Sequence, residues 1–332
     1  MLICNSCFND DELRLAIQQE SMVRGVCDAC GSTTMVTDAE FLSDFFGEVL
    51  SLFVPCEDGS DVVNILQNDW NLFESDKAGR TIVEYFLAGG DFGYTIDDKV
   101  RYSDIITKTV NEWDVLKERV MKRTRFFTSL SSFEKLGLIS YNMTIPQNTS
   151  LFRARVIPSG KSMLGKEEMG CPPADKATAG RANPMGIPYL YLCKNEETTY
   201  YEVRALYLDR LVIGTFSTSR ELKIMDFTKQ LSLYVANLQS SDLAMEVSKY
   251  LLLQRISKDL SKPLRRFDTE LEYVPTQLIC EFCKLHEIDG IMFNSSLHKG
   301  GVNVVLFDAD NAECAAVKQV EINRVDISSV FE

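Results

Sequence analysis

Four cysteines open the chain at a spacing that suits a metal: Cys4-Asn-Ser-Cys7, then Cys27-Asp-Ala-Cys30 followed by Gly31. A C-x-x-C turn presents two thiolates on one side, and two such turns complete the four-sulfur tetrahedron that structural zinc prefers. Gly31 permits the tight turn after the second pair. Four cysteines leave no open coordination position, so the zinc expected in this region is structural, not catalytic. Cys280-Glu-Phe-Cys283 has the same spacing but lies in TQLICEFCKLHEI, whose apolar residues recur at helical intervals. These two cysteines are expected as buried thiols. The chain has two histidines, His286 and His298, so chemistry on a histidine base would have to use one of them. His298 reads as a loop residue.

The elements that hold these groups belong to a chain of ordinary globular composition, 45% hydrophobic and 25% charged over 332 residues. That length suggests two domains, or one large domain with an appendage. No apolar run reaches the roughly 18 residues of a membrane span, and the start carries no basic leader. Ten cysteines without an export signal point to a reducing compartment, so a cytoplasmic protein that does not engage membranes is expected. A net charge of −13 argues against a broad grip on nucleic acid. The basic stretch KERVMKRTR, Lys117 to Arg125, reads as a solvated helix face.

From Thr37 to about Ser140 the pattern is helical: DAEFLSDFFGEVLSLF with Thr37 or Asp38 as cap, SDVVNILQNDWNLF, DKAGRTIVEYFLAGG closed by Gly89-Gly90, and VRYSDIITKTVNEWDVLKERVMKRTRFF. Phe45, Phe46, Phe53, Trp70, Phe73, Tyr85 and Phe86 fall at core spacings, and no catalytic constellation is visible there. After Pro146 short β-like runs alternate with helical segments: SLFRARVI, YLYLC and LYLDRLVIGTFST, then the helix EYVPTQLICEFCKLHE, the strand IDGIMF, the turn NSSLHKGG and the strand VNVVLFD. The long connector GKSMLGKEEMGCPPADKATAGRANPMG is of a length that is usually functional or disordered. The fold class expected is α+β.

Several of these C-terminal pieces together resemble the RES domain, a family of NAD-consuming toxins named for Arg, Glu and Ser and built on an ADP-ribosyltransferase-like fold. LFRARV matches the opening strand, with Arg153. GRANPMGIPYLYLCKNEETTYYEVRA matches a Gly-Arg-x-Asn-x-x-Gly turn, a strand with tyrosine and a helix with glutamate, carried here by Arg181, Tyr191 and Glu202. YVPTQLICEF and DGIMFNSS…GGVNVVLF match the closing helix and the strand, serine turn and strand; Ser295 is the better match for the serine, with Ser296 as the alternative. Ala182 departs from the tryptophan or phenylalanine that often follows the arginine. The cysteine-rich and helical parts also resemble an extension found ahead of some RES domains and associated with HEPN proteins. HEPN ribonucleases use an Arg and a nearby His, and no histidine precedes His286 here.

The resemblance implies three parts: a zinc-binding region over 1–36, a helical regulatory region over 37–147, and a RES-type catalytic domain over 148–332. It also implies a toxin or antiviral defence effector that consumes NAD as substrate and is restrained by an antitoxin or regulatory protein. The residue types fit that chemistry. Cleaving the nicotinamide–ribose bond expels a neutral leaving group, so the developing positive charge on the ribose is what needs stabilising, and a carboxylate such as Glu202 does so. Arg153 and Arg181 can hold the pyrophosphate, Tyr191 offers a ring or a hydroxyl, and Ser295 or Ser296 a hydrogen bond. Water or phosphate as acceptor would make the chain an NAD glycohydrolase or phosphorylase, and a macromolecular acceptor an ADP-ribosyltransferase. A zinc-anchored interaction protein without activity is the non-enzymatic alternative.

Overall fold

The computed structural model describes residues 1–262 and 270–326. Two compact units divide the chain, one of residues 1–112 with 230–252, the other of 113–229 with 253–332.

In the first unit the cysteine-rich segment folds as a small antiparallel sheet in the order Leu2–Ile3, Thr33–Asp38, Val23–Val26. Between its strands runs the helix Asp11–Glu20, started by Asp10, whose carboxylate accepts the Leu13 amide. Three further helices, Ser43–Leu50, Val62–Trp70 and Asp76–Gly89, follow the apolar periodicity, and Asp61 and Ser75 cap the latter two. The aromatics on them build the core: Phe46 stacks on Phe86 with ring centres 4.3 Å apart, and Trp70 lies 4.6 Å from Tyr250. One departure from the helical reading is a two-stranded sheet, Phe53–Ser60 with Val100–Tyr102. Pro55 and Gly59 break the strand periodicity, and the ladder shifts register between Pro55 and Ser60, so no clean alternation marks it in the sequence.

The second unit is built on an eight-stranded sheet. Its order is Ala312–Glu321, Arg210–Thr218, Ser150–Val156, Leu190–Cys193, Val302–Leu306, Gly290–Asn294, Leu222–Asp226, Asn142–Ile145. Every pairing is antiparallel except Leu222–Asp226 with Gly290–Asn294. Ser150–Val156 runs alongside Arg210–Thr218 for seven register pairs but meets Leu190–Cys193 only at Phe152 and Cys193. The sheet therefore splays at that junction. Cys280 and Cys283 lie buried in the helix Val274–Leu285, and burial pushes their thiols up, Cys283 to about 12. Among the described residues no helix is long and apolar enough to cross a membrane.

These units cut across the three-part division expected from the sequence. The cysteine-rich and helical segments share the first unit, residues 113–147 belong to the second, and 230–252 return to the first. Leu233, Ala236, Leu243, Val247 and Tyr250 are buried in the same core as Phe46 and Phe86. An apolar helix face shows in sequence that it must be covered, but not by which core. A fragment starting at Tyr141 is accordingly expected to aggregate, because it leaves those side chains without their cover. Soluble, monomeric behaviour of that fragment by size exclusion would show that residues 230–252 do not need the first unit.

Candidate functional site

The splay in the sheet opens a cavity of about 310 Å³. Its floor is one cross-strand row, because Phe152 stands opposite Cys193, Cys193 opposite Asn303, and Asn303 opposite Phe293, and all four line it. Side chains alternate along a strand, so Tyr191 shares the face of Cys193 and also lines the cavity. Arg153, Arg181, Glu202 and Tyr273 complete the lining used below.

Glu202 ends the helix Glu196–Glu202, which Asn195 starts by accepting the Thr198 amide. A carboxylate at a helix C-terminus faces the negative end of the dipole, so helix stability does not explain it. Two donors hold it instead: Ser295 Oγ at 2.7 Å and Asn303 Nδ2 at 2.8 Å, both on Oε1. No described residue donates to Oε2. Each donor is itself aimed. Ser295 Oγ accepts the Leu297 and His298 amides at 3.2 and 3.1 Å, which leaves its proton for Glu202. Asn303 Oδ1 accepts from Cys193 Sγ at 3.3 Å, which turns its amide nitrogen toward Glu202. Burial, then the Glu202 charge, push the Cys193 thiol up to about 12, so it stays protonated and keeps that role.

Arg153 is a half-buried guanidinium whose Nη1 has no hydrogen-bond partner among the described residues. Burial and then the Arg155 charge bring its pKa down to about 10, against a smaller opposing effect of Cys171, so it remains a cation at neutral pH. Arg181 also reaches the cavity, with Nη1 on the Leu260 carbonyl at 2.6 Å. Tyr191 donates to Asn183 Oδ1 at 2.7 Å and accepts the Ala182 amide at 3.1 Å, so its hydroxyl is engaged by the preceding turn and its ring is what it offers. Burial raises this phenol well above its usual range. The turn closes on Tyr191 only because residue 180 is glycine: a Cβ there would sit 2.6 Å from both Asn183 Oδ1 and the Tyr191 hydroxyl. Gly180→Ala is therefore expected to destabilise the protein by about 1–3 kcal/mol, the usual range for overpacking. Denaturant unfolding measures this, and a variant as stable as wild type would mean that the turn has room.

Of the residues singled out in the sequence, the fold brings Arg153, Arg181, Tyr191 and Glu202 to one cavity and sets Ser295 on Glu202. Ser295 thus holds the carboxylate where a hydrogen bond to ligand was expected. Ser296 is exposed and makes no such contact. Sequence reasoning missed Asn303, Cys193 and Tyr273. Asn303 left a signal, a lone amide in the apolar run VNVVLF that is nevertheless buried.

The four N-terminal cysteines also meet. Sγ atoms are 3.7 Å apart for Cys4 and Cys7, 3.7 Å for Cys4 and Cys30, and 3.6 Å for Cys7 and Cys27, and all four lie within 4.8 Å of one another. A tetrahedron with zinc–sulfur bonds of about 2.3 Å has edges of about 3.8 Å, so this donor set fits zinc in type and in size. Gly31, at φ +75°, makes the turn after Cys30.

Comparison with known proteins adds the following. The RES domain family matches residues 152–328. No curated protein matches the chain. Among solved structures, the M. tuberculosis MbcT–MbcA toxin–antitoxin complex is similar at 14% identity and a TM-score of 0.31, over 56% of this chain and 91% of that one. The family match spans more than half of the chain and contains every residue of the cavity described above, and on that ground the chain belongs to the RES domain family.

Proposed function

We propose that the chain is an NAD-degrading enzyme, a toxin or defence effector that cleaves the nicotinamide–ribose bond in this cavity by hydrolysis or phosphorolysis. One observation carries the reading beyond family membership. The cavity holds a half-buried cation, Arg153 with a buried orphan nitrogen, and a carboxylate, Glu202 with an unpartnered Oε2, and no ion pair joins them among the described residues. Unpaired opposite charges in one low-dielectric cleft suit a ligand that carries an anion at one end and a cation at the other. NAD has that character, with its pyrophosphate and its pyridinium.

Arg153 meets the pyrophosphate, assisted by Arg181, which also lines the cavity. The Tyr191 ring packs on the nicotinamide end. As the glycosidic bond breaks, its electron pair passes to the pyridinium nitrogen and nicotinamide leaves neutral. Positive charge develops on the ribose, and Glu202 Oε2 stabilises it without reorganising, because Oε1 is already held by Ser295 and Asn303. The acceptor then adds to the ribose carbon and loses its proton to solvent. Cys4, Cys7, Cys27 and Cys30 hold a structural zinc, and a partner protein restrains the enzyme, as the family resemblance implies. The deciding experiment incubates the full chain with NAD, with and without inorganic phosphate, and resolves products by mass. ADP-ribose or its phosphorylated form supports the reading. Transfer of ADP-ribose to a macromolecule would replace it, and intact NAD would end it.

A further inference from the structure

The turn that carries Ser295 and the helix that carries Glu202 are fastened together by a residue outside the cavity lining. His298 makes three contacts at once. Its backbone amide donates to Ser295 Oγ at 3.1 Å, its Nδ1 lies 2.9 Å from Thr198 Oγ1, and its ring stacks on Tyr201 with centres 4.5 Å apart and planes 5° from parallel. Thr198 and Tyr201 both belong to the helix that ends in Glu202.

Hydrogen-bond accounting fixes the direction of the side-chain contact. Asn195 Oδ1 accepts the Thr198 amide at 2.8 Å as the cap of the helix, and it also accepts the Thr198 hydroxyl proton at 2.6 Å. That hydroxyl has one proton, so toward His298 it can only accept, and Nδ1 must carry a hydrogen. Nε2 then faces Glu197 Oε1 at 3.8 Å. The turn is closed tightly enough for this contact by Gly301, since a Cβ there would stand 2.6 Å from Thr198 Oγ1 and 2.9 Å from His298 Nδ1. Gly301 also donates its amide to the His298 carbonyl at 2.9 Å and accepts the Ser295 amide at 2.8 Å.

Resting on the NAD reading above, we propose that His298 is a positioning residue: it clamps the serine turn to the glutamate helix, and so keeps the Glu202 carboxylate aimed into the cavity. It touches neither substrate nor reacting atoms. Without the clamp the Ser295 hydroxyl loses the geometry set by its two backbone donors, and Glu202 Oε1 keeps only Asn303. The carboxylate can then rotate at the end of its helix. Ground-state binding through Arg153 is untouched, so the effect belongs to turnover.

The test compares His298→Ala, His298→Asn and His298→Phe in the full chain by steady-state NAD cleavage and by amide hydrogen exchange over residues 295–301. His298→Ala is expected to lower kcat by about 10- to 100-fold with KM nearly unchanged, the scale set by misplacing a catalytic group by about 1 Å. His298→Asn, whose amide nitrogen can stand in for Nδ1, recovers most of the rate, whereas His298→Phe keeps the ring on Tyr201 and stays slow. Exchange of the amides at 297 and 298 accelerates in the Ala variant. Wild-type kcat in His298→Ala overturns the proposal. So does recovery by Phe but not Asn, which would make the contact one of packing alone. Unchanged exchange overturns the clamp whatever the activity. Wild-type protein inert toward NAD would remove the NAD reading instead, and the exchange result would still decide the clamp.

Discussion

Glu202→Gln is expected to lower NAD turnover by about 100- to 1,000-fold, or about 3 to 4 kcal/mol, while NAD affinity stays within a few-fold. The structure makes this substitution clean. The amide oxygen of glutamine can still accept from Ser295 and Asn303, so the hydrogen bonds that hold the side chain survive and only the negative charge is lost. Steady-state kinetics give the turnover and calorimetric titration of the inactive variant gives the affinity. Arg153→Ala should behave differently: a phosphate contact acts on substrate and transition state alike, so KM rises and affinity falls. Wild-type turnover in the Gln variant would reduce Glu202 to a helix-end carboxylate and sink the catalytic assignment. A catalytically silent interaction protein would show no turnover to lose.

Removing the metal should have the larger effect on stability. Protein purified without chelator is expected to contain one zinc per chain, bound by Cys4, Cys7, Cys27 and Cys30, and metal analysis checks this directly. Structural zinc in small four-ligand domains contributes on the order of 10 kcal/mol or more of apparent folding free energy. The sheet it would tie together has strands of only 2, 4 and 6 residues, too short to persist alone. Cys27→Ser, or chelation, should therefore melt this sheet first, and with it the packing of Ile3, Leu13, Ile17 and Val36 in the first unit's core. Thermal unfolding with and without chelator measures the loss. Specific loss of turnover in a Cys27→Ser variant that remains fully folded would contradict a purely structural role, and zinc-free wild-type protein would remove the site.

The sequence by itself determined what local spacing can encode. Two C-x-x-C turns separated by one helix-length segment announced the sulfur cluster, and Asp38, one of two cap candidates, accepts the Glu40 amide at the start of its helical segment. Arg153, Arg181, Tyr191 and Glu202 were legible as candidates because each lies in a short stretch that resembles the RES pattern in order and spacing. Tertiary structure alone decided how those groups are placed around one cavity. Glu202 is held by residues 93 and 101 positions away, and Asn303 reaches it only because the register of two strands places it opposite Cys193. His298 is the loop residue that the sequence indicated, but its contacts were hidden because its partners, Thr198 and Tyr201, lie far off along the chain. The same limit hid the fact that residues 230–252 complete the first unit's core. Hydrophobic periodicity and capping are short-range signals, carried within a few turns of one element. Register, the direction of a hydroxyl proton and the choice of core are fixed only when distant strands and turns close on one another.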